Sequence, residues 1–114
     1  MNPRLSGAIA EEMRAGHACR AAGDLQAAFR HFERAHVLGQ RHTMAHVRAH
    51  LAMLGIGWTR RDLREVAGQI PRIFAALAFS RIWVPIGNTG GADVSAFQPM
   101  AIPADLAELL NDKN

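Results

Sequence analysis

At 114 residues with 49% hydrophobic side chains, the chain has enough apolar material for one core and too little length for two. Its formal charge of +3 is carried by twelve arginines and one lysine spread along the sequence, which disfavours the dense basic footprint of a nucleic-acid binder. One cysteine, Cys19, closes no internal disulfide, and no apolar run is long enough for a signal peptide or a membrane span, so the expected setting is cytoplasmic.

Taken in chain order, the first helix is expected over about 5–22, with Leu5, Ile9, Met13 and Ala21 at helical spacing. Gly23-Asp24 breaks it. A second helix follows over 24–38, with Asp24 as N-cap, Leu25, Ala28, Phe29, Phe32, Ala35 and Leu38 near one face, and Gly39 as terminator. A third is expected over 42–54, on Met44, Val47, Leu51 and Leu54, ended by Gly55 and Gly57. The fourth, over 60–79, starts from a capping box that pairs Thr59 with Asp62. It turns Leu63, Val66, Ile70, Ile73, Phe74 and Leu77 to a core, with a kink or break at Pro71. From 81 to 101, glycine and proline punctuation replaces the helical pattern. The expected form is an ordered strap anchored by Trp83, Ile86, Phe97 and Met100. A short helix over 103–111 closes the chain, with Pro103 suited to its first turn. The pattern predicts an all-α fold, a compact four-to-five-helix domain over 1–114.

All six histidines fall within residues 17–50. Glu33 and His36 form an E-x-x-H pair one helical turn apart, and His46 and His50 share a face of the next helix. The connection GQRHTM is short enough to make the two helices neighbours, so Glu33, His36, His46 and His50 compose a candidate metal site. Glu65 is a further oxygen ligand or a carboxylate that orients a ring. Imidazole with carboxylate suits zinc, iron or copper. Gln40, His42 and Gln69 are candidates for contact with a ligand or with the metal-binding residues. The competing reading is a purely structural polar network, in which neutral histidines satisfy buried carbonyls or carboxylates.

In G-N-T-G-G-A-D, the backbone freedom of Gly90 and Gly91, with the turn-forming Asn88 and Thr89, offers either a structural strap or a ligand-covering loop. The spacing matches neither phosphate-binding nor dinucleotide-binding glycine motifs, which disfavours nucleotide. Nothing in the sequence names a substrate, and enzymatic activity stays open.

Gly23, Ala28, Phe32 and Ala35 stand where a tetratricopeptide-type hairpin packs its two helices, and residues 5–38 resemble one such unit. Over about 5–110, F-R-H-F-E-R-A-H-V-L-G-Q, the H-x-x-x-H of His46 and His50, E-V-A-G-Q at 65–69 and P-I-G-N-T-G-G-A-D-V-S-A-F-Q-P-M-A-I-P-A-D-L together resemble the bacterial domain of unknown function 3703. M-A-I-P stands where M-P-I-P would be family-like. The resemblance implies a small cytoplasmic bacterial protein and emphasises His36, Gln40, His46, His50, Glu65, Gln69 and the 87–91 segment; it implies no reaction or cofactor. The functional expectation is a divalent-metal-binding helical protein in metal handling or stress response. The alternatives are a noncatalytic interaction module, with a protein partner or a second copy of itself, and a small metal-dependent enzyme.

Overall fold

The computed structural model describes residues 1–111, so the last three positions of the expected 1–114 domain lie outside the described residues. Five helices occur there, with no strand: α1 (Pro3–Ala21), α2 (Leu25–Gly39), α3 (Thr43–Arg60), α4 (Leu63–Phe79) and α5 (Ala104–Leu110). The radius of gyration of 13.1 Å is that of a compact domain.

α1 begins two residues earlier than its apolar spacing suggests. The Asn2 side chain accepts from Leu5 N at 2.8 Å, and Pro3 occupies a first-turn position where a missing N–H costs nothing. Gly23, at φ +85°, turns the chain, and Asp24 caps α2 through Ala27 N at 3.1 Å. α1 and α2 approach so closely that a Cβ on Gly16 would lie 2.4 Å from the Phe32 ring. Phe32 then joins Ala28 from α2 and Ala49, Ala52, Met53 and Ile56 from α3 in one buried cluster. A second cluster unites Leu5, Ile9, Val37 and Leu38 with Leu106, which seats α5 on α1 and α2.

α3 differs from its expected form in length and in facing. It runs to Arg60 rather than stopping near 54, and ends at Arg61 in the left-handed region, φ 57°. Gly55 and Gly57 are positions of close approach, not terminators: a Cβ there would meet the Arg20 guanidinium at 2.8 Å and Glu65 Cβ at 3.1 Å. Of the expected stripe, Val47 is buried, Leu54 is half-buried, and Met44 and Leu51 are exposed. The inward face carries His46, Ala49, His50, Met53 and Ile56 instead.

α4 reverses the amphipathic expectation. Thr59 belongs to α3 and donates to Gly55 O, whereas Asp62 is the cap, accepting from Glu65 N. The helix is not broken at Pro71. Leu63 and Phe74, at 70% and 68% exposure, face outward together with Ile70 and Leu77, while Val66 and Ile73 are half-buried. Toward α3 the helix turns Gln69 and Ala76, its two buried residues. The physical reason lies in α3, whose facing surface offers polar imidazoles that need hydrogen-bond partners rather than apolar contacts.

Between α4 and α5 no helix or strand is assigned, and the expected aromatic anchors do not hold this segment: Trp83 is 55% exposed and Phe97 77%. Ile86 is exposed as well. Polar bonds hold it instead. Gln40 clasps it by donating to Pro85 O at 2.9 Å and accepting from Gly87 N at 3.0 Å. Arg72 donates to Val94 O at 2.8 Å. No helix among the described residues is long and apolar enough to cross a membrane.

Candidate metal centre

Residues 40–42 join α2 to α3 and bring the end of α2 against the start of α3. His36, in the last turn of α2, therefore meets His46 and His50, which lie one turn apart on the inward face of α3. All three are buried. His36 Nε2 lies 2.9 Å from His46 Nε2 and 3.1 Å from His50 Nε2, and one nitrogen from each of the three rings falls within 4.8 Å of the others. The cluster is one that can in principle coordinate a metal ion, and its rings belong to an internal hydrogen-bond network through their outward nitrogens.

The outward nitrogens have their own partners. His36 Nδ1 lies 2.8 Å from Asn88 O, a carbonyl that can only accept. His50 Nδ1 lies 2.6 Å from Gln69 Oε1. The orientation of that amide is fixed from its other end, where Nε2 donates to Glu65 Oε2 at 2.6 Å and to Gly90 O at 2.9 Å. His46 Nδ1 lies 2.9 Å from Ser80 Oγ, whose hydroxyl donates to Ala76 O. These partners are all acceptors, so each ring carries its proton on Nδ1 and turns an Nε2 lone pair inward.

Burial keeps these rings neutral. It pushes His36 well below the ordinary imidazole value, since a proton there would face His50, His46 and Arg72, while the Asn88 carbonyl opposes the shift. Desolvation takes His50 down to about 3, with His46 and Arg72 adding to it and the Gln69 bond opposing. It takes His46 down to about 4, against the backbone of Gln40. The nitrogens are thus free to act as donors of electron pairs at neutral pH.

The other expected site residues are placed around this trio. Glu65 is not among the converging groups; its carboxylate accepts from Gln69 and from Ala92 N at 3.0 Å, and so acts on His50 through an intervening amide. Glu33 is half-buried and also outside the converging group; its carboxyl is raised to about 7, first by desolvation and then by Asp93, with the Thr89 hydroxyl opposing. His42 stands at the N-cap of α3, half-buried, held below the ordinary value by desolvation and outside the trio. Gln40 clasps the 81–103 segment. Asn88 braces the same segment, donating to Ser95 O and Gln98 O at 2.7 Å and accepting from Gly90 N at 2.8 Å. Thr89 is half-buried and Gly91 buried beside the Phe29 ring.

Gly90 has a more specific task. At φ +85° it lies face-on to His36, and a Cβ there would come 2.6 Å from the ring. Gly90→Ala combines a strained backbone with that clash. The expected outcome is loss of roughly 2–3 kcal/mol in urea unfolding and displacement of His36, visible as a shifted imidazole resonance. Gln69 is 0% exposed. Gln69→Ala leaves His50 without its Nδ1 acceptor and is expected to weaken zinc binding about 10–100-fold, as read by competition with a chromophoric chelator.

Two residues at this site were not singled out for it by sequence reasoning. These are Ser80 and Arg72, neither of which stands in a recognisable motif. Glu65, Gln69, Arg72, Ala76 and Ser80 recur at three- and four-residue intervals along α4 and its end. That polar stripe was the available signal, and the neighbouring stripe of large apolar residues concealed it. Residues 3–110 match one family, described as "Protein of unknown function (DUF3703)". No curated protein and no solved structure matches the chain.

Proposed function

We propose that this chain, which belongs to the DUF3703 family, binds one divalent metal ion of the zinc, iron or copper class through Nε2 of His36, His46 and His50. The observation that carries the proposal is the His36–His50 pair. Their Nε2 atoms stand 3.1 Å apart, although both Nδ1 atoms face obligate acceptors. Two neutral rings so arranged point lone pairs at each other with no proton between them. A cation at their meeting point removes that conflict. Three nitrogens at about 2.0–2.1 Å from a tetrahedral zinc would be separated by about 3.3 Å, within a few tenths of the distances found for His36.

The acceptors behind each ring supply the outer bonds that metal-ligating histidines ordinarily have. Three protein ligands leave a coordination position for a small molecule, the pattern of an open site rather than a closed structural one. A role in metal handling is consistent with this set of three imidazoles.

A second reading rests on the same contacts. Distances of 2.9 and 3.1 Å also suit hydrogen bonds, provided one ring of the trio holds an extra proton. The trio is then a structural polar network. The exposed stripe of Leu63, Ile70, Phe74 and Leu77 on α4 and the tetratricopeptide-like pairing of α1 with α2 then suit a protein-interaction module. In this reading the bonds from Gln40, Asn88 and Arg72 make residues 81–103 an ordered strap across the helices.

Equilibrium dialysis against zinc, followed by elemental analysis, separates the two. The metal reading expects about one ion per chain, lost in His36→Gln. Protein that stays metal-free at micromolar zinc supports the network reading.

A further inference from the structure

Beside the three imidazoles lies a cavity of about 580 Å³, within the range of about 300–1,000 Å³ usual for small organic ligands. Its walls are apolar, with Pro71, Ala75 and Phe79 from α4 and Trp83, Val84 and Phe97 from the following segment. Apart from the histidines, three polar side chains line it: Gln40, Asn88 and Arg72. The amides of Gln40 and Asn88 are committed at both ends to the backbone of residues 85–98. Arg72 is not fully committed. Its two terminal nitrogens donate to Gly68 O and Val94 O, both at 2.8 Å, which fixes the guanidinium. Its Nε is buried and has no hydrogen-bond partner among the described residues.

The charge balance of this cavity is one-sided. Three neutral imidazoles around a divalent ion leave its charge uncompensated, and Arg72 is the charged side chain in the lining. Among the described residues no carboxylate lines the cavity, and the nearby Glu65 is already engaged by Gln69 and Ala92. Buried positive charge without a counter-ion is costly. The missing negative charge must arrive with the occupant, whose remaining surface has to match apolar walls.

We infer that the cavity binds a small carboxylate with a compact apolar body, its head group shared between the tri-histidine metal ion and Arg72 and its body lying among Phe79, Trp83 and Phe97. The inference rests on the metal reading proposed above and adds to it the chemical class of the ligand. Arg72 serves through its charge, and the carboxylate completes the coordination of the ion.

Cobalt(II)-loaded full-length protein provides the test, because its visible spectrum reports the coordination of the ion. Hexanoate is expected to change that spectrum saturably, with an affinity at least tenfold above acetate, which lacks the body, and above 1-hexanol, which lacks the charge. Arg72→Gln is expected to weaken hexanoate at least fivefold while the cobalt bands persist. Since Arg72 also braces Gly68 and Val94, Ala75→Trp provides a second variant. It fills the cavity from an exposed position of α4 and is expected to abolish the hexanoate response without loss of cobalt. Normal cobalt bands that ignore hexanoate, or respond equally to acetate or 1-hexanol, overturn the inference and leave the metal reading standing. Absence of cobalt bands removes both.

Discussion

Metal-free protein is expected to gain about 10 °C in thermal midpoint when zinc is supplied at one hundred times its dissociation constant. Ligand that binds the folded chain alone contributes about 2.7 kcal/mol at that excess. For a domain of this size, each kcal/mol moves the midpoint by roughly 4 °C. His50→Ala is expected to lose the gain, because one of three ligands is gone and Gln69 Oε1 has lost its donor. The comparison is made against the variant's own metal-free midpoint, which separates lost binding from the cost of truncating a buried ring. His42→Ala, outside the trio, is expected to keep the gain. Equal shifts in all three proteins would point to zinc binding elsewhere on the chain.

Acid is expected to destabilise the metal-free protein steeply. The folded-state values of His36, His46 and His50 lie below the ordinary 6.5, at about 4 for His46 and about 3 for His50. Between those values and 6.5 the unfolded chain binds more protons than the folded one, so stability rises with pH and falls as pH drops below 6.5. Each imidazole contributes a slope of at most about 1.4 kcal/mol per pH unit, and three together approach about 4 kcal/mol per unit near pH 5. Against a total stability of about 5–15 kcal/mol, such a loss removes a large fraction within two pH units.

Glu33 works in the opposite sense. Its folded value of about 7 lies above the ordinary 4.5. Its contribution is therefore present at low pH and is lost as pH rises from 4.5 through 7, so Glu33→Gln is expected to steepen the acid loss. Urea unfolding at pH 7.5, 6.0 and 5.0 measures both effects. A flat profile across that range would mean that the three rings titrate near the ordinary 6.5 in the folded chain, as they do in the unfolded one.

Helices were readable where local chemistry marks them, as with Asp24 capping α2 and Gly23 turning the chain before it. Facing was harder to read. α3 and α4 each carry an apolar stripe, and the usual inference turns such a stripe inward. On α4 most of it faces out, because three imidazoles on the neighbouring helices require Gln69 and Ser80 to lie against them. The H-x-x-x-H spacing puts His46 and His50 on one helical face and the short connection GQRHTM brings His36 to them, whereas the E-x-x-H spacing does not carry Glu33 into the group.

The place of Glu65 was less legible. It sits one turn before Gln69 on the same face, and the sequence does not say which of the two reaches a ring and which supports the other. The part played by Asn88 was equally hidden, since its backbone carbonyl meets His36 across 52 positions of chain. Such a contact depends on the path of residues 81–103, which carry no periodic pattern to read.

X-ray absorption at the zinc edge, on protein loaded with one equivalent, tests the central claim most directly. Three imidazole nitrogens at about 2.0–2.1 Å, with one oxygen ligand completing the shell, are expected. A shell made of oxygen atoms with one imidazole or none would contradict the assignment of His36, His46 and His50 as joint ligands.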